Sequence, residues 1–298
     1  ISVTFSEAMD TTSVTTNTSN TICSGTFALS YDNFSSCFQM FSSPSSSNSD
    51  KTFTVDPSDN LSYSTTYKIR VTTGVKDTLG NTLSSQYETS SGFTTAGLFV
   101  VVGYSGTILT SSDGITWTSR TFSTSNFLYG VTYGKSTLVT GGLNGFILTS
   151  SDYGTSWDNR TSGTTNHLYG VTFGNNTFVG VGLDGNIIRS TDNGTTWDNA
   201  TSPTENTHYG VTFGNDTFVA VGTTGSIVTS TDNGTTWDNA TSGTTIGRGS
   251  ISFGNNTFIT GGGSVSILTS SDNGSTWTTR DSGISSGSIE ILGISYKE

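Results

Sequence analysis

The chain has 298 residues with 22 acidic and 11 basic side chains, a net charge of −11 and a length suited to about two domains. With 31% apolar residues, 17 Phe, 11 Tyr, 5 Trp and only 3 Pro, the composition excludes an intrinsically disordered chain. An acidic field with singly scattered bases excludes nucleic-acid binding, and no apolar run approaches the roughly 18 residues of a spanning helix.

Residues 1–96 contain no Trp. Apolar alternation at 1–5, 51–55, 66–71 and 93–95, with turns at Asp56-Pro57-Ser58-Asp59-Asn60 and Gly80-Asn81, predicts an all-β sandwich of about a hundred residues. Cys23 and Cys37 are the only cysteines. The residues leave open two reduced core thiols or one disulfide, whose short loop would be worth about 3 kcal/mol. No basic, apolar leader opens the chain, so an export signal is expected to have been removed. Export favours the disulfide.

From residue 97 a ruler appears. The tryptophans stand at 117, 157, 197, 237 and 277, every interval 40 residues, the mark of a repeat architecture. Each closes a word of the form S-x-D-x-G-x-[ST]-W, as in Ser190-Thr-Asp192-Asn-Gly-Thr-Thr-Trp197, with one residue missing from the first copy. The word reads as a turn: the Asp accepts backbone N–H bonds, Gly takes a positive φ, and Trp leaves for the core. Asp113, Asp152, Asp192, Asp232 and Asp272 are therefore expected to hold their own hairpins, with Trp117, Trp157, Trp197, Trp237 and Trp277 as their core partners. One active site would need different residues from different repeats.

In the third copy four strand-like runs follow one another at 169–174, 177–182, 185–190 and 195–201. Four short antiparallel strands in 40 residues predict a propeller blade. The first copy starts at its second strand, and Leu292-Gly293-Ile294-Ser295-Tyr296 repeats the pattern of the first strand Tyr129-Gly-Val-Thr-Tyr133. Leu292, Ile294 and Tyr296 are accordingly expected to complete the first blade and close a ring, removing its sheet edges. The expected fold is all-β: a sandwich over 1–96 and a five-bladed propeller over 97–298, closed by the C-terminal strand.

The five words resemble the Asp-box, or bacterial neuraminidase repeat, of sialidases, sortilin-type receptors, some glucanases and photosystem assembly factors. That resemblance implies a propeller with the box on the blade periphery, and it spans enzymes, receptors and scaffolds alike. The words Val3-Thr-Phe-Ser-Glu-Ala-Met-Asp10, Tyr67-Lys-Ile-Arg-Val71, Gly74-Val-Lys-Asp77 and Phe93-Thr-Thr95 resemble the Ig-like domain of bacterial surface-layer and adhesin-type proteins. In that family another strand usually precedes the one holding Val3. Either upstream sequence is absent, or a neighbouring molecule supplies the strand at an open edge.

The resemblance makes sialidase the first activity to weigh. It implies three converging arginines and a Tyr–Glu pair. Arg120, Arg160 and Arg280 each stand three residues after their Trp, equivalent places that spread around a ring rather than converge. Asp184, Asp216, Asp281 and Glu205 show no spacing that selects a glycosidase pair. His167 and His208, lacking companions, read as rim residues rather than metal ligands. Tyr129, Tyr169 and Tyr209 recur on first strands as inter-blade packing or as a ligand face suited to sugars. Twelve N-x-[ST] sequons occur, including Asn159, Asn175, Asn193, Asn199, Asn215, Asn233, Asn239 and Asn255. They permit N-glycosylation, while 107 Ser and Thr residues generate such triplets unselected. The expectation is an extracellular, cell-surface, non-enzymatic structural or adhesive protein without cofactor, metal or membrane insertion. It would be a subunit of a fibre, appendage or surface layer, partnered by itself or other surface proteins. A carbohydrate-binding propeller is the alternative and a glycoside hydrolase ranks last.

Overall fold

The computed structural model describes residues 1–59, 61–284 and 290–296. The chain divides into two compact units, Ile1–Leu98 and Phe99–Glu298. Among the described residues, no helix is long and apolar enough to cross a membrane.

The first unit contains β1 (Ser2–Thr4), β2 (Phe27–Ser30), β3 (Ser45–Ser47), β4 (Thr52–Thr54), β5 (Thr66–Val71), β6 (Tyr87–Glu88) and β7 (Phe93–Thr94). One sheet runs β1-β4-β3; the other runs β2-β5-β6, with β7 also on β5. Phe27, Leu29, Met40, Phe53, Tyr67 and Val71 meet in a single buried core. The Tyr67 hydroxyl accepts the Ser62 N–H at 2.9 Å, so its polar tip is satisfied inside that core. Cys23 and Cys37 form a disulfide. The strand β1 lies at the edge of its sheet, with Ser2 and Thr4 exposed.

Among the described residues, five antiparallel sheets make the second unit. The first has three strands, β8 (Phe99–Val102), β9 (Ile108–Ser111) and β10 (Thr118–Ser119). The second has β11 (Leu128–Gly134), β12 (Thr137–Gly142), β13 (Ile147–Ser150) and β14 (Asp158–Arg160). The third has β15 (Leu168–Gly174), β16 (Thr177–Gly182), β17 (Ile187–Ser190) and β18 (Asp198–Ala200). The fourth has β19 (His208–Gly214), β20 (Thr217–Gly222), β21 (Ile227–Ser230) and β22 (Asp238–Asn239). The fifth has β23 (Arg248–Gly254), β24 (Thr257–Gly262), β25 (Ile267–Ser270) and β26 (Thr278–Arg280). Each four-stranded sheet is a meander in chain order.

The local sequence explains the meander. The first hairpin of each complete sheet turns through two residues of positive φ, Asn175 and Asn176 at 44° and 59° in the third. Both central residues of a type I′ turn need that conformation, which Asn tolerates best after Gly. Near the start of each first strand the register slips by one residue, between Leu168 and Gly170 in the third sheet. Such a bulge re-aims the extra side chain.

Neighbouring sheets pack through the second and third strands: Val139 and Ile147 of the second sheet meet Phe178, Ile188 and Trp197 of the third. First strands interlock differently. A Cβ built on Gly174 would lie 2.0 Å from the Phe213 ring, and Gly134 and Gly214 stand likewise to Phe173 and Phe253. Each sheet thus leaves a gap that the next sheet's aromatic ring fills.

Tyr296 takes the same place against Gly254, and the Ile291 N–H bonds the Gly262 carbonyl at 3.1 Å. The expected ring closure is not formed among the described residues. Residues 290–296, with Leu292, Ile294 and Tyr296, carry no strand, and β8 pairs only with β9. Closing would require one segment to pack on β23 and ladder with β8 at once, and only the packing is made. Consequently Phe99 is 54% and Val101 45% exposed, whereas Phe178 and Ala220 at the equivalent places are buried.

Each S-x-D-x-G-x-[ST]-W word folds on itself. Asp192 accepts bonds from the Ser190 hydroxyl at 2.8 Å, the Thr196 N–H at 2.9 Å and the Thr196 hydroxyl at 2.6 Å. The Gly194 N–H donates to the Ser190 hydroxyl at 2.9 Å, and Trp197 Nε1 donates to the Gly194 carbonyl at 3.0 Å. Asp152, Asp232 and Asp272 repeat this pattern with Trp157, Trp237 and Trp277. In the shortened first copy Asp113 takes the Ile115 and Thr116 N–H groups at 2.8 and 2.7 Å. Trp117, expected in the core, is instead 39% exposed, because its turn is one residue short and β8 lacks a first strand beside it.

These bonds favour the ionised carboxylates. The Thr116 N–H leads at Asp113 and the Thr276 hydroxyl at Asp272, holding both at about 2 against an ordinary 3.8. At Asp152, Asp192 and Asp232 burial is the largest influence and pushes upward. The summed hydrogen bonds outweigh it, and Asp192 also falls to about 2.

A depressed carboxylate stabilises the fold above its unfolded value and loses that contribution as pH falls through the folded value. The repeat unit is therefore expected to lose stability between about pH 4 and pH 2, read by urea unfolding across that window. A midpoint that stays flat over it would refute the assignment. Gly214→Ala, which forces a methyl into the Phe253 ring, should cost about 1–3 kcal/mol in the same assay.

Candidate functional site

The bulge residues of the second, third and fourth sheets are Tyr129, Tyr169 and Tyr209. Freed from the ladder, their rings form a row with centroids 5.1 and 5.3 Å apart and planes tilted by 52° and 53°. Tyr129 and Tyr209 are 39% and 42% exposed, while Tyr169 between them is half-buried. Desolvation first, then the neighbouring Tyr129, Tyr209 and Asp184, push the Tyr169 phenol upward, so it stays a neutral donor. The rings pack on one another between sheets, as inter-blade packing requires, and those of Tyr129 and Tyr209 stay partly exposed.

The histidines diverge. His167 is half-buried, lies 6.0 Å edge-on to Tyr169 and accepts the Asn144 N–H on Nδ1 at 3.0 Å. His208 is not the rim residue expected. It takes the row of Leu128 and Leu168 at the head of its strand, fully buried, and among the described residues neither ring nitrogen has a hydrogen-bond partner. Burial drops its pKa to about 4, so the imidazole is neutral.

Nor do the arginines converge. The Nε groups of Arg120, Arg160 and Arg280 donate to Thr110, Thr149 and Thr269 at 3.4, 2.9 and 2.8 Å, each within its own sheet. Arg189 reaches across to the fourth sheet's turn, bonding the Asn233 carbonyl and the Thr235 hydroxyl. Among the described residues no group of three or more His, Cys, Asp or Glu is placed to hold a metal ion. Of the sequon asparagines, Asn159, Asn175, Asn199, Asn215, Asn239 and Asn255 are exposed. Asn193 and Asn233 are half-buried inside the aspartate turns, with φ of 61° and 60°, and Asn233 Oδ1 accepts the Asn175 amide at 2.6 Å.

Two features escape the sequence reading. One is a sixth aspartate turn, in the first unit. Asp32 accepts the Ser30 hydroxyl at 2.7 Å and the Ser36 N–H and hydroxyl at 2.9 and 2.6 Å, while the Phe34 N–H donates to Ser30. The S-x-D-x-x-x-S spacing carries it, but Phe34 replaces the glycine at a φ of 65° and disulfide-bonded Cys37 stands where the tryptophan would. The other is the burial of Arg248, the largest fully buried side chain among the described residues, which a repeat comparison shows in the row of Leu128, Leu168 and His208.

Residues 1–95 match the family model described as a bacterial Ig-like domain. No curated protein matches the chain by sequence. Several solved structures share its fold. YCF48 from Cyanidioschyzon merolae is 18% identical with a TM-score of 0.50, covering 65% of this chain and 70% of that one. U3-55K is 10% identical with a TM-score of 0.53, covering 65% and 64%. A structure of YCF48 bound to D1 peptide is 19% identical with a TM-score of 0.49, covering 60% of this chain and 62% of that one. This chain spans 62–70% of the length of these three structures. It is similar to YCF48 from Cyanidioschyzon merolae and to U3-55K in its all-β, propeller-like architecture, and its first 95 residues match the bacterial Ig-like domain.

Proposed function

We propose that this chain is a non-enzymatic structural or adhesive protein of a bacterial cell surface, in which an Ig-like sandwich precedes a five-bladed Asp-box propeller. The observation that carries the reading is the fate of the repeated carboxylates. Asp113, Asp152, Asp192, Asp232 and Asp272 spend their acceptor capacity on their own turns. An acid–base pair needs carboxyl groups facing one another across a cleft, which these turns do not supply. The Ig-like match and the disulfide support an oxidising, surface location.

Self-association or contact with other surface proteins follows from the edge of β1. Its unpaired side is a template for a strand from a neighbour. Light scattering against concentration, with negative-stain microscopy, is expected to find ordered filaments or sheets. A strictly monomeric chain at high concentration would count against the structural role.

A second reading rests on the tyrosine row. Three rings about 5 Å apart, two of them well exposed, offer apolar faces and hydroxyls of the kind that hold a sugar. Tyr169→Ala, which breaks the row at its centre, is expected to weaken binding on a glycan array at least about tenfold. Unchanged binding would remove the row from recognition.

A further inference from the structure

Successive joints of the second unit are made by the same two unlike faces. Val139 and Ile147 of the second sheet pack on Phe178, Ile188 and Trp197 of the third. Val179 and Ile187 then pack on Phe218, Val228 and Trp237, and Val219 and Ile227 on Phe258, Leu268 and Trp277. Each sheet thus carries a forward face of branched side chains and a backward face that includes an indole. A row of such sheets ends with one face of each kind, and those two end faces are complementary by construction.

Both end faces are uncovered among the described residues. In the fifth sheet Ile259 and Ile267 hold the places of Val139 and Ile147. They are half-buried, whereas their counterparts in the second, third and fourth sheets are fully buried. In the first sheet Phe99, Leu109 and Trp117 hold the places of Phe178, Ile188 and Trp197. Phe99 and Trp117 are exposed and Leu109 is half-buried. The strand edges are open at the same two ends. Residues 291–296 seat on the fifth sheet as a first strand does, through Ile291 and Tyr296, yet Leu292 and Tyr296 stay exposed. The strand β8 pairs with β9 alone.

A head-to-tail contact closes a ring if its rotation sums to a full turn and extends into an open array if it does not. The contacts that join the five sheets do not bring the fifth face onto the first. We propose that this seam is an interaction surface for a second copy of the chain. The Ile259–Ile267 face and residues 291–296 of one molecule cover β8 and the Phe99–Trp117 face of the next. The donated segment gives the three-stranded first sheet its missing strand, and each pair of molecules leaves one face of each kind for further copies. This rests on the self-associating reading above and gives it a joint, distinct from the edge of β1.

The repeat also sets the register. Thr132 pairs with Val139, Thr172 with Val179 and Thr212 with Val219, and Ser295 and Val100 hold those places at the seam. Opposed residues of an antiparallel ladder lie about 4.5–5.5 Å apart at Cα, within disulfide reach. Both native cysteines are already bonded to one another.

The test mixes and oxidises full-length Val100→Cys and Ser295→Cys chains, each checked for folding by circular dichroism and thermal unfolding. A disulfide joining positions 100 and 295 across two chains is expected, its yield rising with concentration, read by mass spectrometry of the digest. Phe99→Lys changes a side chain already exposed in the single molecule, so it should fold as the wild type does. Its association, read by light scattering, should weaken at least about tenfold, as a charge placed in an interface implies. A chain carrying both cysteine changes that links 100 to 295 only within itself, at a yield independent of concentration, would show closure in cis and overturn the proposal. Undiminished self-association of folded Phe99→Lys, without linkage in the mixture, would overturn the seam and leave the self-associating reading standing on another surface. A wild-type chain that never associates would remove both.

Discussion

An aromatic ring laid in a gap in its neighbour's backbone governs the repeat unit. Phe173, Phe213 and Phe253 each lie where the preceding sheet carries Gly134, Gly174 and Gly214, with no room for a Cβ. This contact fixes how closely first strands approach. Close approach lets the second and third strands bury Val139, Val179 and Val219 against the next sheet. Each repeat alone would expose that face, so stability here is a property of adjacency.

The aspartate turns serve the same end from the outer side. A hairpin that must deliver Trp197 into the core is held in shape by bonding its own N–H groups within the turn. Placing an ionised acceptor inside the turn solves this within seven residues. Because the solution is local, it also works in the first unit, around Asp32, where a disulfide at Cys37 supplies the anchor that tryptophan supplies elsewhere.

Periodicity made much of this legible. The spacing of Trp117 to Trp277 and the turn at Asn175-Asn176 follow from short-range rules, and so do the first two strands of the third sheet. Its third and fourth strands, Ile187–Ser190 and Asp198–Ala200, start two and three residues later than the expected 185 and 195, because a 3-10 turn and the aspartate turn take those positions. The strands β2 and β3 were not legible: Phe27–Ser30 is buried on both faces and shows no alternation, and Ser45–Ser47 has no apolar residue at all. The tyrosine row was visible as a recurrence, but the bulge that turns it outward depends on a register slip that spacing cannot show. Arg248 stands outside any motif, and nothing in its own stretch of sequence marks it as buried. Only the buried leucines in the same row reveal that it lies inside. The expected closing strand matched its template in sequence, yet matching does not create the backbone ladder to β8.

The sameness of the repeats has a kinetic side. Residues 191–202 and 231–242 are identical over twelve positions, so during folding either turn-and-strand segment fits the other's place with the same local energy. Interchangeable parts open a route to misassembled, shuffled arrangements during folding, a characteristic failure mode of repeat proteins. In this molecule some residues break the pattern: His208 in the fourth copy, the glycines around Arg248 in the fifth. These irregularities are what distinguishes one repeat from the next, and a version with every copy made consensus would have no such distinction.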